Sequence, residues 1–195
     1  LKEGVTGIYS LLYFDMNWSV PACIVLDHYT AYGLEQDENN SIGAGGTLNP
    51  DNGKIQAFWT GEYAIAARAN SVIYGAKNAV AGMSDAARQY YAEARVLRAY
   101  AYYNLVSAFG DVPFFTAPVT IDEYQLGRTP KGDIIDFLIE DLNDAADYLP
   151  WTGTERGRVD KAVAYGLIAR IGLFGGSFNV NNNCLLYTSD AADDK

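Results

Sequence analysis

The stretch Ala92-Glu93-Ala94-Arg95-Val96-Leu97-Arg98-Ala99-Tyr100-Ala101-Tyr102-Tyr103-Asn104-Leu105 decides the fold. Around it, Tyr90, Ala94, Leu97, Ala101, Leu105 and Ala108 recur at steps of four and three. That spacing puts them on one side of an α-helix and predicts a helix from about Asp85 to Phe109. Ser84 supplies a side-chain oxygen to cap its start. Gly110 ends it, and Pro113 prevents its resumption.

Working outward, the pattern repeats. From about Ile55, Phe58, Tyr63 (with Trp59), Ala66, Ala69 and Ile73 fall on one broad face, and Gly82 is placed to stop that helix. Downstream, Thr129-Pro130 predicts a third helix, with Thr as cap and Pro at the first position, where its missing N–H costs nothing. Its apolar stripe is Ile134, Leu138, Leu142, Ala145 and Leu149, and Pro150 closes it. Asp133, Asp136, Glu140, Asp144 and Asp147 lie opposite as a solvated face. Asp160 then caps a fourth helix with Ala164, Leu167, Ile168, Ile171 and Phe174 inward. A short apolar helix is expected from Leu1 to about Phe14, on Val5, Ile8, Leu12 and Tyr13. The fold class is therefore all-α: tetratricopeptide-like stacked helical pairs with a long irregular N-terminal loop region. A strict repeat of about 34 residues is not visible.

The irregular region runs from Asn17 to Gly53. It carries Pro21, Pro50, four glycines from Gly33 to Gly46, and the polar run Glu35-Gln36-Asp37-Glu38-Asn39-Asn40. So long a loop inside a compact domain is usually functional or disordered.

Composition narrows the function. Apolar residues make up 49% and charged residues 19%, enough to build a core. The net charge of −10 repels phosphate backbones, so nucleic acid is excluded as a general partner. One histidine and two cysteines, Cys23 and Cys184, leave little material for a disulfide framework, a zinc site or a Ser-His-Asp triad. Gly43-Ala44-Gly45-Gly46 lacks the Lys and the preceding strand of a phosphate-binding loop. The acidic face of the third helix lacks the tight Gly turn of a calcium loop. No cofactor is expected. Nothing singles out two carboxylates for glycoside hydrolysis.

No apolar run reaches the roughly 20 residues that span a bilayer. Val20-Pro21-Ala22-Cys23 imitates the end of a lipoprotein signal, but Asp15 and Asn17 precede it and Ser10 breaks the apolar run from Ile8. It reads as a small half-buried cysteine in a loop. The chain starts at Leu1 with no leader, so the natural N-terminus with its targeting signal is expected to lie outside this sequence.

Four stretches together carry a resemblance. They are Phe58-Trp59-Thr60-Gly61-Glu62-Tyr63 with Ile65 and Asn70; the opening stretch, followed by Phe109-Gly110-Asp111-Val112-Pro113; Arg128-Thr129-Pro130 leading to Ile139-Glu140-Asp141-Leu142; and Gly157-Arg158-Val159-Asp160-Lys161-Ala162-Val163-Ala164, continuing to Leu167-Ile168-Ala169-Arg170. In order and spacing the chain resembles the SusD/RagB family. The resemblance implies an outward-facing outer-membrane lipoprotein that captures oligosaccharide for a SusC-like TonB-dependent transporter and is not an enzyme. Family members are much longer, so residues 1–179 read as a truncated N-terminal helical domain, its lipid anchor missing. Residues 180–195 read as a non-native tail, a translated adapter joined to a truncated gene.

The site is expected in the long loop, on His28, Tyr29, Tyr32, Asp37, Asn39 and Asn40. Rings stack on the apolar faces of a polyol, while amides and carboxylates meet its hydroxyls. A solvated connector is the plainer reading of the same residues. Trp59 is expected to pack in the core rather than stack on sugar. Arg95 and Arg98 are expected to pair with carboxylates across helices, with a ligand clamp as the other reading. The other function classes kept open are a helical-repeat protein-interaction scaffold and, third, a glycosidase.

Overall fold

The computed structural model describes residues 1–13, 15–17, 20–21, 52–119, 126–153 and 155–177. Five α-helices make up most of it: α1 (Lys2–Tyr9), α2 (Gly53–Ala76), α3 (Asp85–Phe109), α4 (Lys131–Ala146) and α5 (Lys161–Ser177). A 3-10 turn, Lys77–Gly82, continues α2. Strands β1 (Asp15–Asn17) and β2 (Val20–Pro21) form a small antiparallel ribbon that the sequence did not announce. The expected tail, residues 180–195, lies outside the described residues, as do Ala22 and Cys23 of the signal-like stretch.

The architecture is the expected one of stacked helical pairs. α2 packs on α3, α4 packs on α5, and α3 joins the two pairs by packing on α4; α1 lies against α2 and α3. The middle of α3 touches neighbours on all sides, and every residue from 92 to 99 is buried. A helix buried all round must be small or apolar nearly everywhere, and here alanines at 92, 94, 99 and 101 allow the close approach. Because burial runs all round, the single stripe read from the sequence understates it. Ala108, placed on that stripe, is exposed.

Both helix starts flanking the centre are capped as expected. Ser84 accepts from Ala87 N–H at 3.3 Å, and Asp160 Oδ1 accepts from Val163 N–H at 2.9 Å. The start of α4 is different. Pro130, not Thr129, sits at the cap position and offers no side-chain acceptor. Lys131 N–H donates instead to Asp111 Oδ1 at 2.9 Å, while Thr129 N–H donates to Val112 carbonyl. An acceptor borrowed from the end of α3 thus does the capping, and ties two helix ends together.

α1 is shorter than expected. It ends at Tyr9, where Leu11 and Leu12 N–H groups turn back in tight i to i+3 bonds, leaving Leu12 and Tyr13 exposed. α3 stops at Gly110, whose φ of 73° and ψ of −124° belong to a region that side chains with a Cβ avoid. Nothing crowds that position, so strain is the whole cost of filling it. Replacing Gly110 by Ala is expected to cost about 1–3 kcal/mol, read as a lower urea midpoint with an unchanged slope.

Candidate functional site

All six expected ligand residues, His28, Tyr29, Tyr32, Asp37, Asn39 and Asn40, lie outside the described residues. The framework that bounds them is described. On one side, β1 rests against α2. On the other, Asn52 caps α2, its Oδ1 accepting from Lys54 N–H at 3.0 Å and Ile55 N–H at 3.4 Å. Both ends of the stretch are thus anchored to one helix.

Beneath that helix a polar network pins the chain that follows α3. Asp141 of α4 is its pivot. Arg95 Nε donates to Asp141 Oδ1 at 2.8 Å, and Arg98 Nη2 donates to Asp141 Oδ2 at 2.7 Å. The side chains are 9%, 3% and 9% exposed for Arg95, Arg98 and Asp141. Arg95 also donates to Asp144. Burial works against the Arg95 charge, but Asp141 and Asp144 outweigh it and hold the guanidinium above its ordinary pKa. Asp144, read as part of a solvated stripe, therefore has a second task; the other four acids of that stripe are exposed.

The network ends on backbone. Arg98 Nη1 donates to Asn70 Oδ1 at 3.1 Å, and Asn70 Nδ2 donates to Phe115 carbonyl at 2.7 Å. Tyr102 hydroxyl donates to that same carbonyl and accepts from Phe115 N–H at 2.9 Å. Burial pushes the Tyr102 phenol up to about 12, opposed by its bond with Phe115 and by the Arg98 charge. Tyr63 hydroxyl donates to Pro113 carbonyl at 2.6 Å. Two helices, α2 and α3, thereby hold residues 113–115 in one path, with Asp141 of α4 bracing Arg98 behind them. Trp59 packs edge-on against Phe109, centroids 4.9 Å apart, as a half-buried packing residue.

A second cluster closes the other side. Glu93, fully buried, accepts from Arg158 Nε at 3.0 Å and from Tyr9 hydroxyl at 2.9 Å. Arg158 Nη2 lies 2.9 Å from Glu93 as an ionic contact whose direction misses a true hydrogen bond. Tyr9 hydroxyl also accepts from Val159 N–H at 2.8 Å. This cluster locks α1 and the turn before α5 onto α3.

Glu62 is the buried acid with least company. It is 2% exposed; Asn104 Nδ2 donates to its Oε1 at 2.8 Å, and its Oε2 has no hydrogen-bond partner among the described residues. Burial pushes its carboxyl up to about 8, against the opposing bond from Asn104. Burial therefore favours its protonated form near neutral pH.

These groups are paired ions, phenols and amides aimed at backbone. Such chemistry fixes a shape. Among the described residues, no three His, Cys, Asp or Glu side chains gather as a metal site. Among the described residues, a largely apolar groove of about 580 Å³ runs between α1, α3 and α5, lined among others by Leu12, Tyr100, Val163, Leu167 and Arg170.

Comparison with known proteins supplies the rest. A family described as SusD-like, "Starch-binding associating with outer membrane", matches residues 1–173. The chain is 34% identical over 192 residues to SusD-like protein P2 of Formosa agariphila, a match covering 91% of this chain and 36% of that protein. In fold it is similar to a SusD-like carbohydrate binding protein of Bacteroides fragilis, with a TM-score of 0.73 and 21% identity over 94% of this chain and 38% of that one. It is also similar to a SusD homolog of Bacteroides thetaiotaomicron, with a TM-score of 0.75 and 20% identity over 93% of this chain and 37% of that one. The chain thus spans little more than a third of the length of these relatives.

Proposed function

The chain belongs to the SusD-like family, and from that membership we propose that it captures oligosaccharide at the outer face of the outer membrane and delivers it to a SusC-like TonB-dependent transporter. The observation that carries this reading is the family match over residues 1–173. The names of its relatives agree with it, since one of the similar structures is titled a carbohydrate binding protein. In this reading the protein binds without cleaving, is held to the membrane by a lipid anchor, and uses residues 1–179 as its N-terminal helical part. Residues 180–195 are a non-native tail.

Contact with the sugar falls to His28, Tyr29, Tyr32, Asp37, Asn39 and Asn40, on the stretch mounted between the ribbon and Asn52. The mount supports that assignment: both ends are held by α2, which is itself tied to α3 by the buried Arg98–Asn70 hydrogen bond. A rigid support under a variable loop is a common design for recognition.

Tyr29→Ala and Tyr32→Ala are each expected to weaken oligosaccharide binding about tenfold in calorimetry, with unchanged thermal midpoints. Full affinity in both variants would remove this stretch from the site. The other reading, a helical scaffold that binds a protein segment, has the apolar groove between α1, α3 and α5 in its favour. An outcome with neither glycan binding nor release of reducing sugar would favour it.

A further inference from the structure

Asn52 and Gly53 stand together where α2 begins, and no other Asn-Gly pair occurs in the sequence. Asn52 is the cap residue, with a φ of −68° and a ψ of 117°, and Gly53 is the first residue of the helix. Asn52 Oδ1 accepts from Lys54 and Ile55 N–H. Gly53 is exposed, and a Cβ built on it would meet nothing within 4 Å. Its N–H is one of the helix-start donors that have no intrahelical acceptor, so a reaction at that nitrogen breaks no helical bond.

An asparagine side-chain amide carries an electrophilic carbon, and the backbone nitrogen of the next residue can close a five-membered ring on it. A side chain on that next residue hinders the approach; glycine has none. We propose that Asn52–Gly53 is a spontaneous modification site, where the residue that seats the start of α2 converts to aspartate and isoaspartate at a rate set by opening of its cap. In the first step the Gly53 nitrogen bonds to Cγ of Asn52, and Nδ2 leaves as ammonia, taking the Gly53 amide proton. A cyclic imide remains. Water then adds to one of its two carbonyls. One opening gives aspartate; the other gives isoaspartate, whose main chain runs through Cβ and Cγ. The inference stands whether or not the chain captures glycan.

The folded geometry sets the rate. At a ψ of 117° the Gly53 nitrogen is turned away from the Asn52 side chain. Ring closure needs rotation about the Asn52 Cα–C bond, and that rotation takes Oδ1 off its two N–H partners. Helix ends open at low free energy, so the cap slows the reaction without abolishing it. Other asparagines are placed differently. Asn70, Asn104 and Asn143 lie inside helices, where the following N–H is already bonded, and Ser71, Leu105 and Asp144 follow them. Asn78 is exposed but is followed by Ala79. The two products differ in effect. Aspartate caps as well as asparagine does, and its charge suits a helix start. Isoaspartate puts an extra backbone carbon between residues 52 and 53, and the cap is lost.

The test ages the whole chain in mildly alkaline buffer at body temperature, folded and in parallel in strong urea. Peptide mapping by mass spectrometry reads conversion, and isoaspartyl methylation identifies the second product. Conversion is expected at Asn52 in both samples, about tenfold slower in the folded chain, with Asn78 unchanged. Gly53→Ala enters open space and favours the helix. It should fold like the parent and convert about tenfold more slowly. Asn52→Asp stands in for one product and should keep the parent's thermal midpoint, while the isoaspartate fraction melts roughly 2–4 °C lower. Asn52 staying intact in the folded chain overturns the site, whatever happens in urea. Equal rates in the two samples overturn the control by the cap. Gly53→Ala converting as fast as the parent overturns attack by the Gly53 nitrogen. An isoaspartate fraction with the parent's midpoint overturns the loss of the cap.

Discussion

Replacing Asp141 with Ala is expected to lower stability by about 3–5 kcal/mol, the typical cost of removing one partner from a buried ion pair. Asp141 alone faces both Arg95 and Arg98 within the core. Without it, Arg98 would keep an amide oxygen and a backbone carbonyl as neighbours, and Arg95 would keep the exposed Asp144. Neither set replaces a buried carboxylate. For a chain of this size the loss corresponds to a fall of roughly 10 °C in the melting midpoint. Arg98→Ala should fall in the same direction, because it also releases Asn70 and Thr116. Unchanged stability in Arg98→Ala, joined to lost oligosaccharide affinity, would mean that the arginine grips ligand and that the network has been misread.

Glu62→Gln is expected to stabilise the protein, and the gain should depend on pH. In the folded chain, burial raises the Glu62 carboxyl to about 8 from an ordinary value of 4.5. Below pH 4.5 the folded and unfolded states both hold the proton, and the acid costs nothing. Between 4.5 and 8 only the unfolded state releases it, so stability falls as pH rises; above 8 the folded acid ionises too and the cost stops growing. The amide has the same shape, keeps an oxygen for Asn104 and does not titrate. The gain should therefore be near zero at pH 4, rise through neutrality and level off above pH 8, reaching a few kcal/mol. Melting curves for the two proteins across that range check it. A constant offset at every pH would mean that Glu62 is not protonated in the fold.

These two acids also show where reading the sequence stopped. Helix positions were legible because apolar spacing, Ser84, Gly110 and Asp160 each have a local cause. The buried ions were half legible. Two arginines on an apolar helix demand partners, and that demand was met. Asp141 lies three residues after Leu138 and seven after Ile134, on the buried face, so its own spacing set it apart from the acidic stripe. Matching that acid to Arg95 and Arg98 would have located the network. Glu62 and Glu93 carry the same signal, being acids on apolar faces. The cap of α4 was not legible, because Asp111 is 20 residues from the N–H it accepts and only the folded path joins them. The expected ligand stretch has no periodicity to read, since loops carry their contacts without a repeating face.

Capture without cleavage is tested by presenting the whole chain to immobilised oligosaccharides and assaying the same mixtures for new reducing ends. Saturable binding of at least one glycan is expected, with no release of reducing sugar. Turnover of a bound glycan, or no binding to any glycan by a protein that melts cooperatively, would contradict it.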